Sequence, residues 1–462
     1  MAVSRVPKLR CIAAVSAAVL LCVTATACGR SASKSPAGGG ATTAPASSSA
    51  SPSAAAAGDF GSLTKVCGAG PGTGGSGRGI SGKSIRIGVL ADPGAAAAPG
   101  LGQEFFDVAD GFSKWCNAAG GINGRTIVVD KLDAKLFNGA AAVTTACHSD
   151  FMLVGGTTAL DAPTVKPREA CKLGTIPAYT ASPEAYDGTL QVNPGGSPAT
   201  IYPVAPLRLL ADAYPSSKQG LGIAGSSLAS LRPQGLRAAE AWQKLGYRVA
   251  SLQARPALVP NFRPYLTQLK QAGAQADFEI VSTDASPIFQ AMSDTGFKPQ
   301  WVLFGQQFYN DAAVSAAKAV PSFPNTYTDI AHLPFDLAGK YPVMQQLKSI
   351  MAAVTTKAGL TDFTILAFQA WLLWAKSATE CGTNLTQDCV LQKAGATTNW
   401  DAGGIAAPVA GPLSAPHISD CWLLERLTTS GWVYDQKVTQ PTKGPWNCGP
   451  QNLVTVKSYL GS

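Results

Sequence analysis

Histidine is nearly absent from this sequence. The 462-residue chain has three, His148, His332 and His417, scattered and without short regular spacing. That leaves a zinc site the weaker reading, since zinc ligands recur at a few fixed intervals. No two cysteines stand in C-x-x-C register either. Charge is equally thin: Asp, Glu, Lys and Arg make up 14% of the chain, and no Lys/Arg block or basic helix face occurs. A nucleic-acid partner, which needs a concentrated basic surface, is therefore not expected. The net charge of +8 is diffuse, with three positives in Arg5, Lys8 and Arg10. There is no G-x-S-x-G elbow, and no His beside an acid in a nucleophile pattern. These gaps argue against an enzyme, and no cofactor is expected.

Those early positives introduce "CIAAVSAAVLLCV" from Cys11 to Val23, followed by "TATACGR". A charged start, a short apolar run and small residues before a cut site form a secretory signal, and the run is too short to span a bilayer comfortably. Residues 1–27 are read as this leader. Cleavage after Ala27 leaves Cys28 first, which resembles the lipobox of bacterial lipoproteins. Ala25 stands where a larger aliphatic residue is usual, and Ala25-Thr26-Ala27 also fits ordinary secretion. Lipidation is favoured because a single cysteine right after the cut is otherwise unexplained. The expected location is the extracytoplasmic face of the cell membrane. Residues 28–82, rich in Ser, Ala, Gly and Pro, read as a disordered tether.

Within that stretch "GRGISGKS", Gly77 to Ser84, spells G-x-x-x-x-G-K-[ST]. A working phosphate loop follows a buried strand and opens a helix. Here a Gly/Pro-rich segment precedes the motif and the strand-like "IRIGVL" follows it, so a nucleotide site is not expected.

With 46% hydrophobic residues the remaining chain can bury a large core, and its length suits two domains. Setting aside Cys11, Cys22 and Cys28 leaves an even set of cysteines, which in an exported chain suggests disulfides. Sequence alone does not fix the connectivity. Nearness along the chain suggests Cys147 with Cys171, Cys381 with Cys389 and Cys421 with Cys448, leaving Cys67 for Cys116.

From Ile85 onward, strand and helix patterns alternate. "IRIGVL", "TIVVD", "FMLVGG" and "TIPAYT" read as strands, separated by helical stripes such as Phe105, Ala109, Phe112, Cys116. A second series with "GLGIAG", "YRVASL", "DFEIVS" and "WVLFG" repeats the grammar, and two apolar helices, "PVMQQLKSIMAAV" and "DFTILAFQAWLLWAKSA", come late. Continuous apolar strands between helices indicate parallel sheets covered on both faces. The fold class is α/β, with two doubly wound lobes.

Taken together, "IRIGVLADPG", "FFDVADGFSKWCNAAGGINGRTIVV", "FMLVGGTTA", "TIPAYTAS" and "FGQQFYND" resemble the leucine/isoleucine/valine-binding family of ABC-transporter solute receptors, the type I periplasmic binding proteins. The resemblance implies two lobes joined by three crossovers: lobe I over 83–198, lobe II over 199–328, a return to lobe I over 329–405, and a return to lobe II with the tail over 406–462. It also implies a monomer that passes its solute to a membrane permease, and it adds weight to Cys147 with Cys171. A sensor of the same fold is the alternative.

Ligands of open parallel sheets sit beyond the C-terminal strand ends. That points to the loop holding Asp92 and Gln103, and to "GGTTA", "TAS", "GSSLAS", "STDAS" and "GQQFY". By resemblance, Thr157 and Thr158 hold a ligand carboxylate, and Thr180 and Ser182 serve one strand over. Ser226, Ser227, Asp284, Gln306 and Gln307 face them from lobe II. The competing assignment for the hydroxyls is helix capping. Amino-acid receptors commonly put a carboxylate where Gln306 and Gln307 stand, and a neutral amide lacks the charge-assisted bond to an ammonium. The expected solute is thus small and polar, with a carboxylate or amide, and is an α-amino acid only if Asp284 substitutes. Phe308 and Tyr309 are either cleft wall or core.

Overall fold

A computed structural model of the chain describes residues 57–461, apart from 76, 197, 281–283 and 417. The leader, Cys28 and the tether up to residue 56 lie outside the described residues.

Lobe I begins with β1 (Ser84–Ala91), α1 (Gln103–Ala118), β2 (Thr126–Asp133), α2 (Gly139–Ser149), β3 (Met152–Val154), α3 (Ala162–Ala170) and β4 (Thr175–Ile176). Its parallel sheet runs β2-β1-β3-β4. A one-turn α4 (Pro183–Tyr186) and β5 (Ile201–Pro203) lead into lobe II. There α5 (Ala205–Ala213), β6 (Leu221–Ser226), α6 (Arg232–Lys244), β7 (Val249–Arg255), α7 (Arg263–Gln271) and β8 (Ala276–Glu279) are followed by α8 (Ala285–Thr295), β9 (Trp301–Phe304), α9 (Asp311–Ala319) and β10 (Thr326–Ile330). The chain returns to lobe I for α10 (Pro342–Ala352), α11 (Asp362–Cys381) and α12 (Gln387–Ala396). It ends with β11 (Cys421–Thr428), β12 (Gly431–Tyr434), β13 (Asn447–Cys448) and β14 (Leu453–Thr455).

The lobe II sheet runs β12-β11-β10-β9-β8-β6-β7, parallel from β6 to β10. β11 and β12 close it antiparallel, which the apolar-run pattern did not indicate. "TIPAYT" yields only a two-residue strand, because Pro177 has no N–H to continue the ladder. Ser84, the last residue of "GRGISGKS", opens β1 and not a helix, so the motif lacks the N–H cradle that phosphate binding requires.

The lobe I core is finished by the late helices. α11 starts with a capping box between Thr361 and Thr364, and Trp371 and Trp374 are fully buried. Trp371 stacks on Phe112 of α1 at 5.3 Å between ring centroids. Where the chain crosses between lobes, adjacent segments hydrogen-bond: Leu333 N–H to Ile405 O at 2.8 Å and Ala407 N–H to Ala331 O at 2.7 Å.

Residues 58–82 correct the expected extent of the tether, since much of this segment packs on lobe I. Phe60 is fully buried against Phe368, with ring centroids 4.9 Å apart. Thr379 Oγ1 donates to Val66 O at 2.9 Å. The Gly-rich composition that reads as disorder instead permits close backbone approach: a Cβ at Gly124, whose φ is +86°, would run into the carbonyl of Gly70. Among the described residues four disulfides are present, Cys67–Cys116, Cys147–Cys171, Cys381–Cys389 and Cys421–Cys448.

The Cys67–Cys116 bridge spans 49 residues of sequence and ties this strap to α1. Replacing both cysteines by serine is expected to lower stability by about 2–5 kcal/mol, read as a lower urea midpoint. An unchanged midpoint would mean that the strap adds nothing to lobe I.

Candidate functional site

Between the lobes lies a cavity of about 420 Å³, within the range of small-molecule sites. Its walls come from the segments just beyond the parallel strands. Lobe I supplies Ala97, Ala98 and Leu101 after β1, Leu136 after β2, Ala159 after β3 and Ala178 to Ala181 after β4. Lobe II supplies Ser226 and Leu228, Pro256 and Ala257, Ile280, Gln306 and Gln307, and Asp329 with Ala331 at the end of β10. α11 adds Asp362, Phe363, Leu366 and Gln369, a stripe at helical spacing. Across the mouth, Leu228 and Leu231 of lobe II pack against Ala95, Leu136 and Leu160 of lobe I, and Gln234 Nε2 donates to Ala181 O at 3.3 Å.

Of the sequence-predicted residues, Thr180, Ser226, Gln306 and Gln307 face this cavity. Thr180 Oγ1 is buried with no hydrogen-bond partner among the described residues. Ser226 Oγ accepts from Leu228 N–H at 3.1 Å, and Gln307 Nε2 donates to Ile280 O at 2.7 Å.

The other predicted residues are not at the wall. Asp92 is buried and works inside lobe I: it accepts from Leu136 N–H at 2.7 Å, Ala159 N–H at 2.7 Å and Thr158 Oγ1 at 2.8 Å. Asp92 and Thr158 thereby knot together the loops after β1, β2 and β3, which removes both from the expected ligand set. Thr157 is buried, its hydroxyl toward Thr158 O. Gln103 reaches Asp107 one turn along α1 at 2.9 Å. Ser182 caps α4, accepting from Ala185 N–H, so capping is the correct assignment there. Ser227 is exposed. Asp284 is also exposed and caps α8, accepting from Ser286 N–H at 2.9 Å, so it does not replace the missing acid at Gln306 and Gln307. Phe308 and Tyr309 are core: Phe308 stacks on Phe304 at 4.1 Å and Tyr309 on Phe335 at 5.4 Å.

Sequence reasoning missed the polar groups that do face the cavity. Asp329 sits half-buried at the end of β10. Burial in the fold, reinforced by the charge of Asp362, lifts its carboxyl to about 7 despite the opposing bond from its own N–H. Gln369 is 4% exposed and makes no hydrogen bond to a described residue. A lone amide inside "TILAFQAWLLW" was the available signal for it. Arg237 donates to Tyr186 Oη at 3.1 Å and to the carbonyls of Pro198 and Ile201 at 3.2 and 2.9 Å. His332 Nδ1 lies 2.8 Å from Leu333 O, so that nitrogen carries the proton; Nε2 lies 3.0 Å from Asp362 Oδ1. Burial raises the Asp362 carboxyl, with His332 opposing.

Comparison with known proteins agrees with this geometry. A family model described as periplasmic binding protein matches residues 84–415. The chain belongs to that family. Among solved structures, this binding protein is similar to a fatty acid ABC transporter substrate-binding protein from Thermomonospora curvata, at 16% identity, covering 79% of this chain and 95% of that one, with a TM-score of 0.64. It is also similar to a leucine-binding protein from Thermotoga maritima, at 11% identity over 76% and 97% of the two chains, with a TM-score of 0.61. A branched-chain amino acid transporter substrate-binding protein from Streptococcus pneumoniae, solved with isoleucine, aligns at 15% identity over 76% and 100%, with a TM-score of 0.59. No curated protein sequence matches. This chain has the two α/β lobes of the type I periplasmic binding protein fold.

Two measurements test the framework of the site. Asp92→Ala leaves two buried N–H groups and one hydroxyl without their acceptor and should cost roughly 3 kcal/mol, read by urea unfolding. Buried Asp150 and Asp161 are each lifted to about 6, mainly by burial. The folded state therefore holds their protons more tightly than the unfolded chain. Their contribution is complete below pH 4 and lost as pH rises through about 6. The melting temperature should fall over that window, and Asp161→Asn should flatten the slope.

Proposed function

We propose that this protein captures an amphipathic small molecule, an apolar body with one polar head, and presents it to the membrane permease of an ABC transporter. The carrying observation is the composition of the cavity wall: Ala, Leu, Pro and aromatic side chains interrupted by a few polar groups. Such a wall rewards removal of apolar surface from water, at roughly 25 cal/mol per Å², and fixes orientation through its polar minority. This reading replaces the expectation of a small polar solute bearing a carboxylate or amide. The names of similar proteins, a fatty acid receptor and receptors for leucine and branched-chain amino acids, support an apolar body of this kind. Closure follows from the solute's preference for the state in which both lobes touch it. In the same reading, residues 1–27 export the chain, a lipid on Cys28 holds it at the outer membrane surface, and it works as a monomer.

A thermal-shift panel of aliphatic acids, amines, amides and amino acids tests the reading, because a ligand that binds only the folded protein raises its melting temperature. At least one amphipathic compound should do so. Ala98→Trp, which fills the mouth, should weaken that compound's binding by tenfold or more. If no compound shifts the melting temperature, the cavity is not a solute site.

A further inference from the structure

Leaving aside the tyrosines, four described residues of the cavity wall bear charge or can acquire it: Arg237, Asp329, His332 and Asp362. Three have their partners inside the protein. Both terminal nitrogens of Arg237 are held, by one hydroxyl and two carbonyls, and its guanidinium lies over the rings of Tyr186 and Tyr202, at 4.9 and 5.7 Å; only its Nε has no partner among the described residues. His332 and Asp362 hold each other through Asp362 Oδ1, leaving Oδ2 without a hydrogen bond among the described residues. Asp329 has no hydrogen bond from another described residue and no ion pair, only the bond from its own N–H. An unpaired carboxylate among apolar walls is costly unless something arrives to pair with it. The wall offers further open polar groups in Thr180, Asn193 and Gln369, the last nine-tenths buried, without a partner among the described residues and seven residues along α11 from Asp362. Of the hydroxyls expected to serve a ligand carboxylate, Thr158 is bonded to Asp92, Thr157 is turned to backbone and Ser182 caps α4, which leaves Thr180 at the wall.

Taking the cavity as the solute site, we infer that its occupant is a hydrophobic amine lacking a carboxylate, whose cationic nitrogen is held by Asp329. The carboxylate of Asp329 is open while both terminal nitrogens of Arg237 are engaged, so the complementary head is positive, and a bond from an ammonium to a carboxylate is about twice as strong as a neutral one. Asp329 lies on β10 and not in the Gln306-Gln307 loop, and it supplies the charge missing there. The groups facing it set a pH dependence: Asp362 from α11, His332 just after β10, Tyr202 on β5, whose own proton is held more firmly by burial and by Asp329, and Arg237 of α6 beyond Tyr202. With the Asp329 carboxyl lifted to about 7, acid neutralises the acceptor while an aliphatic amine keeps its charge. Amine affinity should therefore fall about tenfold between pH 8 and pH 6.

The test is calorimetric titration with hexylamine, hexanoate and leucine at both pH values, on the protein and on Asp329→Asn. Expected are binding of hexylamine ahead of the other two, the tenfold loss at pH 6, and in Asp329→Asn a tenfold or greater weakening with the pH dependence gone. A melting curve checks that Asp329→Asn is folded. Tighter binding of hexanoate or leucine, or hexylamine affinity unchanged in Asp329→Asn, overturns the amine assignment and leaves solute capture standing. Failure of every compound in the wider thermal-shift panel overturns both.

Discussion

A single helix, α11, holds both the core and the cavity together. Its twenty residues are buried on almost every side, with Trp371 and Trp374 inside lobe I and the stripe of Phe363, Leu366 and Gln369 against the cavity. Few globular helices are apolar all round, and those that are must be surrounded by protein. Here the enclosure is supplied by α1, α12, β3, β4 and the strap before β1, through contacts such as Phe60 on Phe368. Because α11 follows lobe II in the sequence, lobe I is not complete until the chain has come back to it. The lobes are thereby bound into one folding problem, and the paired crossovers at Ala331–Leu333 and Ile405–Ala407 result from that return.

Near the cavity, polar side chains divide between holding loops and facing the open space. Asp92 and Asp161 belong to the first group. Asp161 accepts from the N–H groups of Ala181 and Ser182 at 2.6 and 3.0 Å, as Asp92 does for the loops after β2 and β3. Loop backbone that leaves a strand end and stays buried needs such acceptors, since an unmatched N–H costs about as much as a lost hydrogen bond. With those carboxylates and hydroxyls engaged, the surface left for a solute is mainly hydrocarbon. Under the proposed solute capture, shape and desolvation dominate binding, with Asp329 and Gln369 setting its polarity.

The contact at the mouth is modest: Leu228 and Leu231 against Ala95, Leu136 and Leu160, with one bond from Gln234. Such small apolar contacts can separate at little cost, whereas the hydrogen-bonded crossovers behind the cavity stay paired. That asymmetry suits a hinge at the back and an opening at the front.

The sequence by itself determined the alternation of strands and helices, because continuous apolar strands and helical stripes are local patterns that burial on two faces dictates. It also marked the loops from which the cavity is built, since strand ends fix where those loops diverge. Tertiary structure decided three things. It made the Gly-rich segment around Val66 and Gly70 part of the core, through a long-range disulfide and close backbone contacts that composition does not reveal. It turned Asp92, Thr158 and Ser182 inward: Asp92 collects donors from loops distant in sequence, Thr158 Oγ1 among them, while Ser182 donates its N–H to Asp161 and caps α4 with its hydroxyl. And it brought Asp329 and Gln369 to the cavity from two elements brought together only by the return of the chain. Which polar groups face a solute depends on which ones the fold has already satisfied, and that is a property of distant neighbours.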